Sequence, residues 1–383
     1  MARKAEGNNA PGAGGAARSA SQLQALRRQI DKLDLEIVKL VNERAAIAAE
    51  IGLAKREQGE DVFSPAREEE VYKNAIEASR KIKGKLEEGT IRAIFREIMS
   101  GSRALQKIMK VAYLGPEFSF SHLAALEHFG QSVEFVPVAS VATVFEEVQR
   151  GHVEYGVVPV ENSTDGRVAD TLDMFIRVPT LQINGEVRLQ VHHNLVANCE
   201  HQEIRRIYSK PQALSQCRNW LAKNVPHAHL KDVSSTAIAA QLAAQESGAA
   251  AVASRQAAVK YGLRVLFSQI EDSPHNETRF AVIGHSKAEK SGEDKTSLMF
   301  RLPHTPGALV AALEVLKQQK INLTWIESFP SPTTAARPEY LFFLDIEGHV
   351  EDPKVAKAVK QLEAQALELK VLGSYPVAQL VGG

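Results

Sequence analysis

Apolar residues recur early in the chain in a strict alternation of four and three: Leu26, Ile30, Leu33, Ile37 and Leu40, then Ile47 and Ile51. A heptad repeat held this long demands one continuous helix, because only that puts every one of these side chains on a single face. The stripe is more than a lone helix can hide, so the helix needs a partner of similar length. The neighbouring sequence supplies none. Gly59 ends the pattern, and Ser64-Pro65 reads as an N-cap with proline at the first helical position, opening AREEEVYKNAIEASRKI. A third helix follows Thr90, with Ile91, Phe95, Ile98, Ser102, Leu105 and Met109 on its stripe. One very long helix and two shorter ones lack a conventional single-chain core, so residues 22–109 are expected to be all-α and to pair with a second copy.

One slot of the stripe breaks the pattern. Between Leu40 and Ile47 stands Arg44, while Arg27 and Lys55 lie on the flank of the same stripe. A polar residue in a seam can fix dimer register, and an arginine stem can snorkel outward. Arg27 and Lys55 are about 40 Å apart along the helix at 1.5 Å per residue, too far to share a small ligand within one chain. In an antiparallel pair, Arg27 of one copy approaches Arg44 and Lys55 of the other. The third helix adds Ser102 on its stripe and Gln106 beside it, and Arg67 and Glu68 open the second helix. Buried cations are costly without anionic partners. No acidic residue occupies the facing stripe positions, so a bound anion would balance them.

This arrangement resembles the all-helical chorismate mutase family from about Leu23 to Gln106. The resemblance implies that Arg27, Arg44, Arg67 and Ser102 bind chorismate, one arginine coming from the partner subunit. Lys55 and Gln106 would then hydrogen-bond the ether oxygen whose bond breaks, and Glu68 would hold the ring hydroxyl. Ser64 stands where some members carry an acidic residue. A pericyclic rearrangement needs no nucleophile and no proton transfer. Restricting a flexible dianion and stabilising a developing oxyanion are tasks that suit such a set of side chains.

From 110 to about 285 the pattern changes to short apolar runs followed by helices, which points to a parallel α/β architecture. VAYLG, YGVVPV, RRIYS and AAAVAS are the candidate strands. Small hydroxyl and amide residues recur where strands end: Ser119, Asn162 with Ser163, Ser209, and Ser234, Ser235 and Thr236. Singly, each reads as an N-cap. Together they place helix N-termini around one crevice, where backbone N–H groups favour an anion.

Bulk composition narrows the partners. With 46 basic and 46 acidic residues the formal net charge is zero, so nucleic-acid binding has no electrostatic support. No apolar run is long enough to span a membrane. Cys199 and Cys217 are too few for a disulfide framework and suit a reducing, cytoplasmic compartment. His192 and His193 are adjacent, a poor geometry for shared chelation, and no metal or organic cofactor is expected. Residues 1–21, rich in Gly, Ala and Pro without the apolar core of a secretory signal, read as a disordered tail.

Residues 111–284 resemble prephenate dehydratases in five ordered blocks: GPEFSFSHLAAL, VPVENSTDGRVADTLD, YSKPQALSQC, SSTAIAAQLAA and NETRF. Phe118-Ser119 stands where Gly-Thr is common, and Lys210 where histidine is frequent, with Ser209 and Gln212 retained. The resemblance implies two subdomains flanking a cleft, as in periplasmic solute-binding proteins, within 110–286. It makes Thr278 the catalytic hydroxyl against the leaving hydroxide of prephenate. Ser119, Asn162, Ser163, Ser209 and Gln216 would bind prephenate, with Ser234, Thr236, Arg279 and Phe280. Arg279 would either orient a carboxylate or brace its loop.

Residues 287–383 take in most of the polar connector HSKAEKSGEDKTS and then, from TSLMFRLP on, read β-α-β-β-α-β, the order of a ferredoxin-like α+β sandwich. PGALVAAL, NLTWIESFP, EYLFFLDIEGH and LGSYP resemble the ACT regulatory domain. The resemblance implies an interface pocket for L-phenylalanine built from Gly307, Ala308, Leu309, Glu327 and Ser328. Gly307 equally reads as a close-approach glycine at a helix start. Phe329 stands where an arginine is usual, which removes a cation near that pocket.

As a whole the chain resembles the bifunctional chorismate mutase/prephenate dehydratase family. It is expected to turn chorismate into prephenate and prephenate into phenylpyruvate under feedback by phenylalanine, as a homodimer or homotetramer without nucleic-acid or membrane partners. Two rivals remain at this level. One is a non-catalytic ligand-responsive regulator; the other is a dehydratase whose helical part serves only for dimerisation.

Overall fold

The computed structural model describes residues 13–58, 61–164, 166–330 and 340–382, with side chains described from residue 22 onward. Three helices come first: α1 (Ala13–Gln58), α2 (Pro65–Lys81) and α3 (Glu88–Ala104). Helix α1 opens at Ala13, not near Ser21, so the stretch 13–21 expected as tail is helical; residues 1–12 and Gly59 lie outside the described residues. Ser64 caps α2 by accepting the Arg67 N–H at 3.3 Å, with Pro65 in the first turn. Helix α3 starts at Glu88, ahead of Thr90, and stops at Ala104. Leu105 and Met109 therefore fall beyond it: Leu105 is exposed, and Met109 is buried in the core of the next region. The heptad residues of α1 stay between 51% and 63% exposed. Within one chain nothing covers that stripe among the described residues.

The middle region alternates β1 (Lys110–Leu114), α4 (Phe120–Phe129), β2 (Glu134–Val138), α5 (Val141–Gln149), β3 (Tyr155–Asn162), the short β4 (Gly166–Arg167), α6 (Ala169–Arg177) and β5 (Gln182–Gln190). The chain then builds a second sheet from β6 (Asn194–Ala197), β7 (Arg206–Ser209), α7 (Pro211–Gln216), α8 (Arg218–Asn224), β8 (His229–Asp232), α9 (Thr236–Gln245), β9 (Ala249–Ala253), α10 (Arg255–Lys260) and β10 (Arg264–Phe267). It returns to the first sheet in β11 (Glu277–Gly284). The four strands read from sequence do pair in parallel, β1 with β3 and β7 with β9. Neither sheet is parallel throughout. Strand β11 runs antiparallel to both β3 and β5, and β6 runs antiparallel to β9 and β10, because the chain crosses between the sheets twice.

The last region follows the order β12 (Asp294–Arg301), α11 (Ala308–Gln319), β13 (Leu323–Pro330), β14 (Tyr340–Glu347), α12 (Pro353–Glu363) and β15 (Glu368–Pro376). Its antiparallel sheet has the order β13-β14-β12-β15. Helices α11 and α12 cover one face through Leu298, Leu316, Leu344 and Leu362. The other face, through Met299, Phe343 and Leu372, shares a core with Ile183, Ala281 and Ile283 of the first middle sheet. A final strand not expected from sequence, β16 (Leu380–Gly382), adds to the edge of that sheet beside β5. The helical region is fastened just as firmly: Phe63, before α2, is buried among Tyr113, Phe129 and Tyr155.

Candidate active sites

In the helical region, Arg44 is partly buried between α1 and α3 and donates to the Ser102 hydroxyl at 3.2 Å. Ser102 donates to the Ile98 carbonyl at 2.7 Å, so its lone pairs are turned to the guanidinium. Burial first, and the nearby Arg67 charge second, pull the Arg44 pKa down. Lys55 donates to the Asp61 carbonyl at 3.2 Å, leaving further protons on the ammonium. Gln106 lies directly on Gly52 of α1, where any Cβ would overlap its amide; glycine is what lets the side chain approach Lys55's helix. Gln106, expected on the third helix, stands in the turn just past its end, so one chain gathers cations and neutral donors from α1, α2, α3 and that turn.

Three expected members behave differently. Arg27 is exposed on α1, about 25 Å of helix from Arg44. Arg67 also pairs with Glu70 at 2.6 Å on the surface. Glu68 is ion-paired with Arg103, a residue the stripe analysis missed because it lies off the α3 stripe. Arg103 is buried, donates to the Phe129 carbonyl at 2.6 Å and lies over the Phe63 ring at 5.2 Å. Glu68 is therefore held by an α3 arginine that is itself anchored to the α/β region.

The second site is a cleft of about 720 Å³ between the two middle sheets, at the carboxyl ends of their strands. Ser119, Asn162, Gln216, Ser234, Thr236, Thr278 and Phe280 all line it, as expected from sequence. Ser119 caps α4, and Ser235 caps α9 by accepting the Ile238 N–H at 3.1 Å. Two helix N-termini thus face one space, and among the described residues Lys210 is the single lysine or arginine lining it. Preceding Ser119, Phe118 adopts a left-handed φ of 62°, which explains why glycine suits that position. Its ring packs against the core of the second sheet, across the cleft.

A buried amide network sets the cleft's chemistry. Asn162 Oδ1 accepts the Thr164 backbone N–H at 3.0 Å, and a backbone N–H can only donate, so the amide orientation is fixed. Asn162 Nδ2 must then face Thr278, its cross-strand neighbour, and donates to Thr278 Oγ1 at 2.8 Å. The threonine oxygen accepts, and its own proton is the group's remaining donor. Gln216 Nε2 donates to Asn162 Oδ1 at 3.3 Å, which turns Gln216 Oε1 toward Asn276 Nδ2 at 3.0 Å and His193 Nε2 at 2.8 Å. His193 consequently carries its proton on Nε2. Sequence reasoning missed His193; its neighbour His192 faces Glu271 instead, at 2.8 Å.

Three expected prephenate residues do not reach the cleft. Ser209 is fully buried and donates to the Val252 carbonyl at 2.7 Å. Ser163 pins its turn by donating to the His275 carbonyl at 2.8 Å and accepting the Glu277 N–H at 2.9 Å. Arg279 lies between Thr278 and Phe280 on a strand, where alternation sends it to the opposite face. There it pairs with Asp345 of β14 at 2.5 Å and stacks over Trp325 at 4.7 Å. Arg279 braces the strand from behind and has no line to the substrate space.

In the last region, Gly307 has φ 84° with nothing within 4 Å of an added Cβ. The left-handed backbone, and no close approach, accounts for glycine here. Ala308 and Leu309 open α11, while Glu327 and Ser328 lie on β13, the edge strand of its sheet.

Comparison with known proteins agrees with this geometry. Residues 26–107 match the family model for chorismate mutase type II, and residues 111–288 match that for prephenate dehydratase. A bifunctional chorismate mutase/prephenate dehydratase of Aquifex aeolicus is 43% identical over 362 residues, covering 94% of this chain and 99% of the relative. One of the same description from Stutzerimonas stutzeri is 44% identical over 368 residues, with the same coverage. The solved prephenate dehydratase of Arthrobacter aurescens in complex with L-Phe is 33% identical, with TM-score 0.64, covering 70% of this chain and 90% of that one.

Proposed function

Because the chain belongs to the bifunctional chorismate mutase/prephenate dehydratase family, we propose that its helical site and its cleft act in series on one substrate. The chain carries both activities. At the first site, Arg44 and Arg67 hold the carboxylates of chorismate, and Ser102 fixes Arg44. Arg27 completes the site from the partner subunit, which the open α1 stripe brings into place. Lys55 and Gln106 stabilise the ether oxygen as its bond lengthens, and Glu68, anchored by Arg103, holds the ring hydroxyl.

At the second site the N-termini of α4 and α9, with Lys210, Ser234 and Thr236, take the carboxylates of prephenate. The ring carboxylate leaves as carbon dioxide, and its bonding electrons form the new ring double bond as the C–O bond breaks. Thr278 donates its proton toward the departing hydroxide. Asn162 donates to Thr278 Oγ1 and so supports the negative charge that collects there. The Asn162–Thr278 hydrogen bond is the observation that carries this reading.

We place the functional boundaries at 22–109, 110–286 and 287–383, and read the last unit as a ferredoxin-like ACT domain. Phenylalanine is its effector, at a pocket between copies that uses Gly307, Ala308, Leu309, Glu327 and Ser328. The L-Phe bound to the Arthrobacter relative supports this. No helix among the described residues is long and apolar enough to cross a membrane, and two free cysteines suit a cytoplasmic location.

The test is product analysis from chorismate. The parent chain should yield phenylpyruvate. Thr278→Ala should accumulate prephenate, with dehydration slowed about 100-fold or more and chorismate loss unchanged. Phenylpyruvate formed at the parental rate by that variant would remove Thr278 from the mechanism.

A further inference from the structure

Arg167 is the last residue of the β3–β4 hairpin, and it reaches out of the dehydratase region to the edge strand β13. Its Nη1 donates to Glu327 Oε2 at 2.9 Å and to the Ser328 carbonyl at 3.4 Å. Its guanidinium lies 4.5 Å over the Phe329 ring. One side chain thus grips three consecutive residues of the strand read above as part of the effector pocket.

The other end of the same hairpin is catalytic. In the β3–β4 ladder Glu161 pairs with Arg167 and Asn162 with Gly166, and the turn's Thr164 N–H holds the Asn162 amide. The hairpin turn thus buttresses the Asn162 amide, and Asn162 orients Thr278.

An amino acid bound at this edge needs a carboxylate for its ammonium group. Glu327 is the carboxylate at hand, and Arg167 already occupies it. Guanidinium and ammonium compete for one acceptor, so ligand binding has to release the hairpin. The pair is open to solvent, at 40% and 25% side-chain exposure, and such pairs are weak enough for a modest ligand to displace. Phe329, standing where an arginine is usual, leaves this segment without a cation of its own; Arg167 supplies one from the dehydratase side. We propose that Arg167 is the positioning residue through which phenylalanine acts: the ligand displaces it from Glu327, the hairpin loses its anchor, and Asn162 loses its alignment with Thr278. This rests on the reading of β13 as the effector strand.

The experiment compares the full-length parent, Arg167→Ala and Arg167→Lys by equilibrium dialysis with labelled phenylalanine and by dehydratase rates on added prephenate. With its internal competitor gone, Arg167→Ala should bind phenylalanine about tenfold more tightly. Its kcat without effector should already sit near the inhibited rate of the parent, and phenylalanine should lower it no further. Arg167→Lys should fall between the two. A merely structural arginine would not tighten ligand binding when removed. Weaker binding in Arg167→Ala, or binding and inhibition identical to a parent that is inhibited, would overturn the inference alone. A parent that binds no phenylalanine would remove the effector reading and this inference with it.

Discussion

The helical site and the cleft solve opposite problems with opposite materials. The helical site collects charge: burial first, and the Arg67 charge second, pull the Arg44 pKa down, and Lys55 adds a further cation on the same helix. The cleft collects mainly neutral amides and hydroxyls, with Lys210 and Asp170 among its described lining residues. A pericyclic rearrangement asks only that a dianion be folded and its developing charge met, so bare cations suffice. Loss of hydroxide asks for one proton at one place, so an oriented donor matters more than net charge. The two sites also differ in completeness. The cleft is walled by one chain, whereas α1 leaves its apolar stripe uncovered and its Arg27 far from the other cations.

The largest effect should come from splitting the two sites at that seam. Covering the stripe of α1 is worth about 1 kcal/mol for each half-exposed Leu or Ile, so paired carboxylates there should open the helical seam. Leu33→Asp with Ile37→Asp should lower chorismate turnover about 100-fold, while prephenate dehydration stays within about twofold and association through the last region persists. Parental chorismate turnover in that variant would erase the contrast. A smaller effect belongs to Lys210. Lys210→Ala should raise KM for prephenate about tenfold with kcat near the parental value, the cost of one charge-assisted hydrogen bond. An equal loss in kcat would instead place the lysine against the reacting atoms.

The smallest effect concerns the junction that the two regions share. His128 is partly buried beside Phe63, and its removal from water, then Arg103 and Arg92, push its pKa down to about 3. The ring stays neutral in the fold, while in the unfolded chain it takes a proton below about pH 6.5. Its contribution is intact above that pH and drains as pH falls, by about 2 kcal/mol at pH 5. Urea titrations at pH 7.5 and 5.0 should show that loss in the parent and a loss about 2 kcal/mol smaller in His128→Leu. Parallel losses would assign the acid sensitivity to other groups.

Much of the helical site was legible because helical spacing reports direction: Arg44 and Ser102 fall where their register places them, while Gln106 stands in the turn just past α3. Glu68 shows the limit, since its partner Arg103 is fixed by contact with Phe129 of another region. In the cleft, a short motif concealed strand alternation. Thr278, Arg279 and Phe280 are neighbours in sequence, yet the middle one faces Asp345 on the far side of the sheet. Ser163 and Ser209 read as donors at strand ends, but nearby carbonyls claimed them, and no local pattern announces that. His193 joins the buried amide network only through a chain crossing that brings it against Gln216. Strands β5 and β16 escaped for the same reason, being defined by distant partners.

Subunit complementation tests the central claim that Arg27 and Lys55 of one mutase site belong to different chains. Arg27→Ala and Lys55→Ala, each nearly inactive as a mutase alone, are mixed under conditions where exchange of subunits is verified with tagged chains. Each mixed dimer then holds one site with both defects and one with neither, so random exchange should restore about a quarter of the parental chorismate turnover. Complete exchange with no recovery would mean that both residues serve the same site from one chain, and the two-copy account of the helical region would be wrong.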